Sequence, residues 1–241
     1  MDYIRTFEEA DKYLGKKQQR PVGKTATVLR RNGDDIELVY HDTPVVTYHP
    51  TGSTTFNSGG HLTVTTKSRM NEFSLETITQ EKGQWFFSDY KSGAREPFVD
   101  GVTALPDGAG YVYPGGKPDT KEVAALIKAA KAYIKAFTKE FSEDKVGAPS
   151  DADCRYCYYK IDTDNGHLLT HIEESYFVPS LLYRAWEENR DGMSIIDNHL
   201  MAQWVAGDGD ISYTEHTEWI LEDAAKYALK KYLAKRLGFT L

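Results

Sequence analysis

Pro106-Asp107-Gly108-Ala109-Gly110, continued by Tyr111-Val112-Tyr113-Pro114-Gly115-Gly116-Lys117-Pro118, separates two kinds of sequence in this 241-residue chain. Its density of Pro and Gly reads as loop. Before it the chain is rich in Thr, Val, Tyr and Gly; after it, in Ala, Lys, Glu and Leu. That change predicts an α+β protein, with an N-terminal antiparallel β-sheet followed by a helical region. The corresponding modules are residues 1–118 and 119–241. The length accommodates one large domain or two modest ones.

Outward toward the N-terminus, β-branched and aromatic runs alternate with turn residues. Thr25–Arg31 and Ile36–His41 flank Asn32-Gly33-Asp34, and Val45–His49 ends at Pro50-Thr51-Gly52. Thr54–Asn57 and His61–Thr66 flank Ser58-Gly59-Gly60. Lys67–Phe73 reads as a short helix, and Thr77–Gln80 with Gln84–Phe87 as a hairpin about Lys82-Gly83. The expectation is a sheet of six or seven strands.

Outward toward the C-terminus, about five helices are expected. Asp119 with Glu122 three residues on is a capping pattern. Val123, Ile127, Ala130, Ile134, Phe137 and Phe141 then form one apolar stripe. Ser194…Asp197 and Ser212…Glu215 mark two further helix starts. The last helix should bury Leu221, Ala225, Ala228, Leu229, Tyr232 and Leu233. Its outer face would carry Glu222, Lys226 and Lys230 as an ion-paired i, i+4 row.

Composition excludes several classes. No apolar run is long enough for a transmembrane helix, and the acidic, mixed start Met1–Glu9 is unlike a signal peptide. The net charge of -7 excludes a globally basic nucleic-acid binder. The charge is uneven. Residues 1–118 hold 14 Lys+Arg against 15 Asp+Glu, and residues 119–241 hold 15 against 21. A local basic face therefore stays open: Lys16, Lys17, Arg20, Lys24, Arg30 and Arg31 fall in one stretch without an acid, either as a solvated strand edge or as a polyanion contact. Thr55, Asn57, Thr63, Thr65, Lys67 and Arg69 would share a sheet face that could meet phosphates or bases, with Tyr40 or Tyr48 stacking. An ordinary solvated Thr-rich sheet face has the same pattern. Lys226, Lys230, Lys231, Lys235 and Arg236 form a second basic face, diluted by Glu222 and Asp223.

The two cysteines, Cys154 and Cys157, form one CxxC. Two cysteines exclude a disulfide scaffold. Nine residues after Cys157 comes His167-Leu168-Leu169-Thr170-His171, which completes C-x2-C-x9-H-x3-H. Two His at i, i+4 face one side of a helix. With two thiolates they supply the Cys2His2 donor set that suits Zn2+. Asp162, Asp164, Asn165 and Gly166 supply a turn that can fold the helix back onto the CxxC. His199, on another predicted helix, is an alternative ligand. Four protein ligands close the shell, so a structural Zn2+ is expected. A catalytic site would need one ligand missing and Glu173 or Glu174 as base; Leu168 stands where a zincin has its Glu. A redox CxxC would need a thioredoxin-like βαβ pattern, which is not seen.

Two stretches carry a resemblance. His41-Asp42-Thr43-Pro44-Val45-Val46-Thr47-Tyr48-His49, continued from Asn57-Ser58-Gly59-Gly60-His61 to Asn71, resembles a segment recurrent in proteins of tailed bacteriophages and prophages. Cys154–Cys157 with His167–Leu182 is similar to another segment of such proteins. His61 departs from the group, which often has Trp there. The resemblance implies a phage or metagenomic origin and action in the bacterial host cytoplasm, and it brings no activity with it.

Smaller features give weaker signals. Ser58-Gly59-Gly60 could be a phosphate nest. His41, Asp42, His49 and His61 could form an acid–base or metal cluster if strand pairing aligned them, or be solvated strand-end residues. No G-x-S-x-G elbow or nuclease carboxylate pattern supports a hydrolase. The expectation is a zinc-binding phage accessory protein that binds nucleic acid through the basic sheet. The alternatives are a module that binds a host protein and a metal-dependent enzyme.

Overall fold

The computed structural model describes residues 4–23, 26–89, 93–161, 166–207 and 215–241. The chain divides into two compact units, residues 1–124 with 238–240, and residues 125–237 with 241. The first is an antiparallel β unit and the second is helical, the α+β order expected.

The first unit opens with helix α1 (Phe7–Leu14), capped by Thr6 and Glu9 in a reciprocal box. Strands β1 (Gln19–Pro21), β2 (Thr27–Asn32), β3 (Asp35–Tyr40), β4 (Thr43–Tyr48) and β5 (Thr54–Phe56) follow. They run as an antiparallel meander, with Leu29↔Leu38↔Val46↔Phe56 in one cross-strand row. All four are buried, so this row is part of the core. The β2–β3 hairpin closes on Gly33, whose φ of +61° only glycine adopts freely.

Helix α2 (Val64–Glu72) replaces the strand expected at His61–Thr66. Thr63 explains the difference. Its hydroxyl caps the Thr66 N–H at 3.1 Å, which starts a helix where β-branched propensity argues for a strand. Thr63, Thr65, Lys67 and Arg69 therefore do not lie on a sheet face. The hairpin about Lys82-Gly83 forms as expected, with β6 (Ile78–Glu81) paired to β7 (Gln84–Ser88). Lys82 and Gly83 both have positive φ, the pattern of a tight two-residue turn. This hairpin joins β8 (Arg95–Pro97) in a separate three-stranded sheet. The main sheet reaches seven strands through β9 (Val102–Ala104), which pairs with β5, and β10 (Tyr111–Val112). Residues 106–118 are thus mostly connection, with β10 inside them. Tyr48, Phe56, Met70, Phe87 and Val102 fill the core.

Helix α3 (Thr120–Ser142), most of which belongs to the second unit, begins at Asp119, whose Oδ1 accepts from the Lys121 N–H at 2.7 Å. Its stripe from Ile127 to Phe141 is buried. Helices α4 (Arg155–Tyr158), α5 (Gly166–Glu173), α6 (Pro179–Asn189), α7 (Ile195–Ala206) and α8 (Glu215–Leu237) follow. Ser194 and Asp197 form the expected capping box of α7. Ser212 lies outside the described residues. The Tyr133, Phe137 and Phe177 rings pack together, and Phe141 meets Trp204 edge-on at 5.0 Å. The six residues expected to be buried on α8 are buried. Its Glu222, Lys226 and Lys230 form no ion pair within 4.0 Å among the described residues, unlike the row expected from their spacing.

Candidate metal centre

Cys154 precedes the short helix α4 as its N-cap residue, and Cys157 lies within that helix. One turn of helix brings two residues at i, i+3 to the same side. Asp153 holds this turn in place. Its carboxylate accepts from the Ser180 N–H at 2.9 Å and the Ser180 hydroxyl at 2.7 Å, and also from the Cys154 N–H. The CxxC turn is thereby tied to the start of α6. No sequence pattern singles out Asp153, because its partner lies 27 residues away.

His171 lies on α5 and is buried. Its Nε2 is 3.8 Å from Cys157 Sγ. Two donors on one tetrahedral zinc, with Zn–S and Zn–N bonds of ordinary length, stand about 3.6 Å apart. One ligand atom each from Cys154, Cys157 and His171 lies within 4.8 Å of the others, and all three residues are buried. Neither cysteine is in a disulfide.

His167 sits one turn earlier on α5 and is half-buried, stacked on Tyr156. It is not among the three converging donors. Its ring centroid is 5.8 Å from that of His171, and the rings are near perpendicular at 85°. Imidazoles sharing one tetrahedral ion have centroids about 5 Å apart. His167 therefore borders the cluster without converging on it. His199 is exposed on α7, outside the cluster, as are Glu173 and Glu174 at the end of α5. Asp162, Asp164 and Asn165 lie outside the described residues.

Burial sets the protonation of the donors. It pushes the Cys157 thiol well above its usual range, and the neighbouring Cys154 adds to this. Burial, then the nearby His167, lowers His171 to about 4. His171 is thus neutral at pH 7, the form that ligates a metal. The Cys157 thiol keeps a proton that a bound metal would have to displace.

The residues proposed for nucleic acid have other neighbours. Arg30 pairs with buried Glu37 at 2.7 Å, Arg31 with Asp11 at 2.5 Å, and Arg69 with Glu72 at 2.7 Å. Arg20 donates to the Tyr13 carbonyl and covers its ring. Lys67 donates to Gln80 and lies over Trp85. Lys16 and Lys17 are exposed at the turn after α1. Lys24 lies outside the described residues. Tyr48 is fully buried and cannot stack on a base from solvent.

The phosphate nest is already filled. Asp100 accepts from the Ser58 N–H at 2.5 Å, the Ser58 hydroxyl at 2.9 Å and the Gly60 N–H at 3.1 Å. The loop donors thus hold the chain's own carboxylate. The histidine cluster is divided as well. His41, Asp42 and His61 line a cavity of about 410 Å³ beside Tyr40. His49 instead bonds Asp35 through Nδ1 and Thr55 through Nε2, each at 2.8 Å, and Thr55 continues to Thr103. Sequence spacing could not reveal this relay, because strand pairing assembles it.

No helix among the described residues is long and apolar enough to cross a membrane. No curated protein and no solved structure matches the chain. A family model does match residues 5–105, which include the first of the two phage-like stretches but not the second, and through them the amino-terminal part of this chain is similar to a phage protein family, the Kyanoviridae Gp96 protein.

Proposed function

We propose that this chain is a zinc-stabilised phage accessory protein that acts by binding a macromolecule. In this reading Cys154, Cys157 and His171 hold one structural Zn2+, and His167 closes the shell by a small rotation about its side-chain bonds. The observation that carries the reading is the convergence of two thiols and an imidazole, all buried, on one point. Paired thiolates with imidazole favour zinc over magnesium or calcium, which take oxygen ligands. Four protein ligands would leave no position for a reactive water. The ion would join the CxxC turn of α4 to α5, two short helices of four and eight residues.

The test is metal analysis of the purified chain, followed by Co2+ substitution. One equivalent of zinc is expected, with thiolate-to-cobalt charge-transfer bands. Cys154→Ala should lose both the metal and the fold of the helical unit. A folded Cys154→Ala protein that has lost an activity would instead point to a catalytic ion. A chain that takes up no zinc would overturn the reading. His167→Ala should weaken binding less than His171→Ala.

A second reading places a polyanion contact on the first unit. Lys16 and Lys17 favour it, since they are exposed and form no ion pair among the described residues. It predicts salt-dependent RNA or DNA binding that is lost when both lysines are neutralised. Binding that is insensitive to salt, or absent at low salt, would end it. Host-protein binding through the acidic helical half is the competing outcome. A host-lysate pull-down with that face charge-reversed separates the two.

A further inference from the structure

We infer that the helical unit pairs with a second copy of this chain through the outer face of α8. On that helix Trp219, Asp223, Lys226, Tyr227, Lys230 and Ala234 recur at three- and four-residue steps and share one face. Trp219 is 62% exposed. Ile195 and Ile196, in the first turn of α7, are 89% and 60% exposed. A groove of about 470 Å³ beside Trp219 is lined by Met193, Asp197, Trp219, Asp223, Tyr227 and Lys230 among others. Single exposed apolar side chains are ordinary, but an exposed indole lining a groove, with two exposed isoleucines in the same turn of α7 as the groove residues Ser194 and Asp197, marks an interaction surface.

Charge selects the occupant. Asp223, Lys226 and Lys230 form no ion pair with any described residue. Asp223 and Lys230 lie seven residues apart, about 10 Å along the helix. If two copies of α8 run antiparallel about a two-fold axis near Lys226 and Tyr227, each Asp223 meets Lys230 of the second copy. The same register sets each Trp219 over Ala234 of the second copy, a small side chain that leaves room for an indole. The patch is therefore self-complementary in its Asp223–Lys230 and Trp219–Ala234 pairs, and each Lys226 beside the axis faces the Tyr227 ring of the second copy, as an interface between identical chains requires. A nucleic acid would instead meet Asp197 and Asp223, and a basic peptide would meet Lys226 and Lys230.

The test is light scattering after size exclusion, on the full metal-loaded chain over a concentration series. The expected mass is twice the 27.2 kDa of one chain. Asp223→Lys and Lys230→Asp should each weaken the dimer by about tenfold or more, because each sets like charges together. The two changes combined should restore it. Trp219→Ala should weaken it with an unchanged circular dichroism spectrum. A monomer at every concentration overturns the inference and leaves this face to a different partner. An unchanged dimer in either single variant overturns it too, as does a double variant no tighter than the singles.

Discussion

Tyr48 in the sheet unit and Cys157 in the helical unit are both buried, yet their polar atoms are treated differently. The Tyr48 hydroxyl donates to the Phe73 carbonyl at 2.6 Å, within a core that continues through Phe56, Met70 and Phe87. Cys157 has as neighbours another thiol and an imidazole nitrogen 3.8 Å away, groups that bond one another weakly. The first arrangement is complete with protein alone. The second gathers donors that are most effective around a common cation. The same contrast recurs at Asp100 and Asp153. Each carboxylate organises a loop, but Asp100 fills its loop's donors, whereas Asp153 positions a turn whose thiols face elsewhere.

The sharpest way to break this comparison is to remove the proposed metal. Chelation, or Cys157→Ala, should cost the helical unit about 5 kcal/mol or more, since zinc ligation supplies folding energy directly. The sheet unit should keep its melting transition. Calorimetry that resolves two transitions would show this, and a single transition falling as one would refute it. Phe56→Ala should do the reverse. A large cavity in the sheet core costs about 3–5 kcal/mol, and the loss should be the same with and without chelator.

Acidity probes the same contrast. A zinc ion held as proposed would displace thiol protons but none from His171, which is neutral at pH 7 because its pKa is lowered to about 4. Affinity should therefore rise with pH, by about 3 kcal/mol per pH unit when two protons are released. Calorimetric titration in buffers of different ionisation enthalpy counts those protons, and a count near zero would contradict the thiolate assignment. The smallest effect is expected at Thr63→Ala, which removes the cap of α2 and costs about 1 kcal/mol in urea unfolding of the sheet unit. No change there would mean that packing of Met70 and Phe73, rather than the cap, sets the helix start.

Much of the fold was legible because its signals are local. Gly33 and the Lys82-Gly83 pair mark hairpins through the positive φ that their turns require. Asp119 and Ser194 mark helix starts because a capping oxygen reaches only two or three residues ahead. At Thr63 two local rules conflict, β-branched propensity and capping, and the cap prevails. The candidate metal site was legible for the same reason. A CxxC and an H-x3-H each bring their residues together within one helical turn. Spacing also named His167, which the fold leaves beside the three converging donors.

Sequence alone determined the α+β order, the hairpin turns, the buried stripe of α3 and the Cys and His pairs, all of which depend on neighbours a few residues apart. Only the tertiary structure decided which strands share a sheet, for β5 pairs with β9 nearly fifty residues later while β6, β7 and β8 form a sheet of their own. It also decided that Asp100 fills the Ser58–Gly60 loop, that Asp35 and Thr55 claim His49, and that Asp153 ties the CxxC turn to Ser180. Each of these contacts joins segments whose approach is set by burial of apolar faces. That burial depends on the whole chain, and no local spacing encodes it.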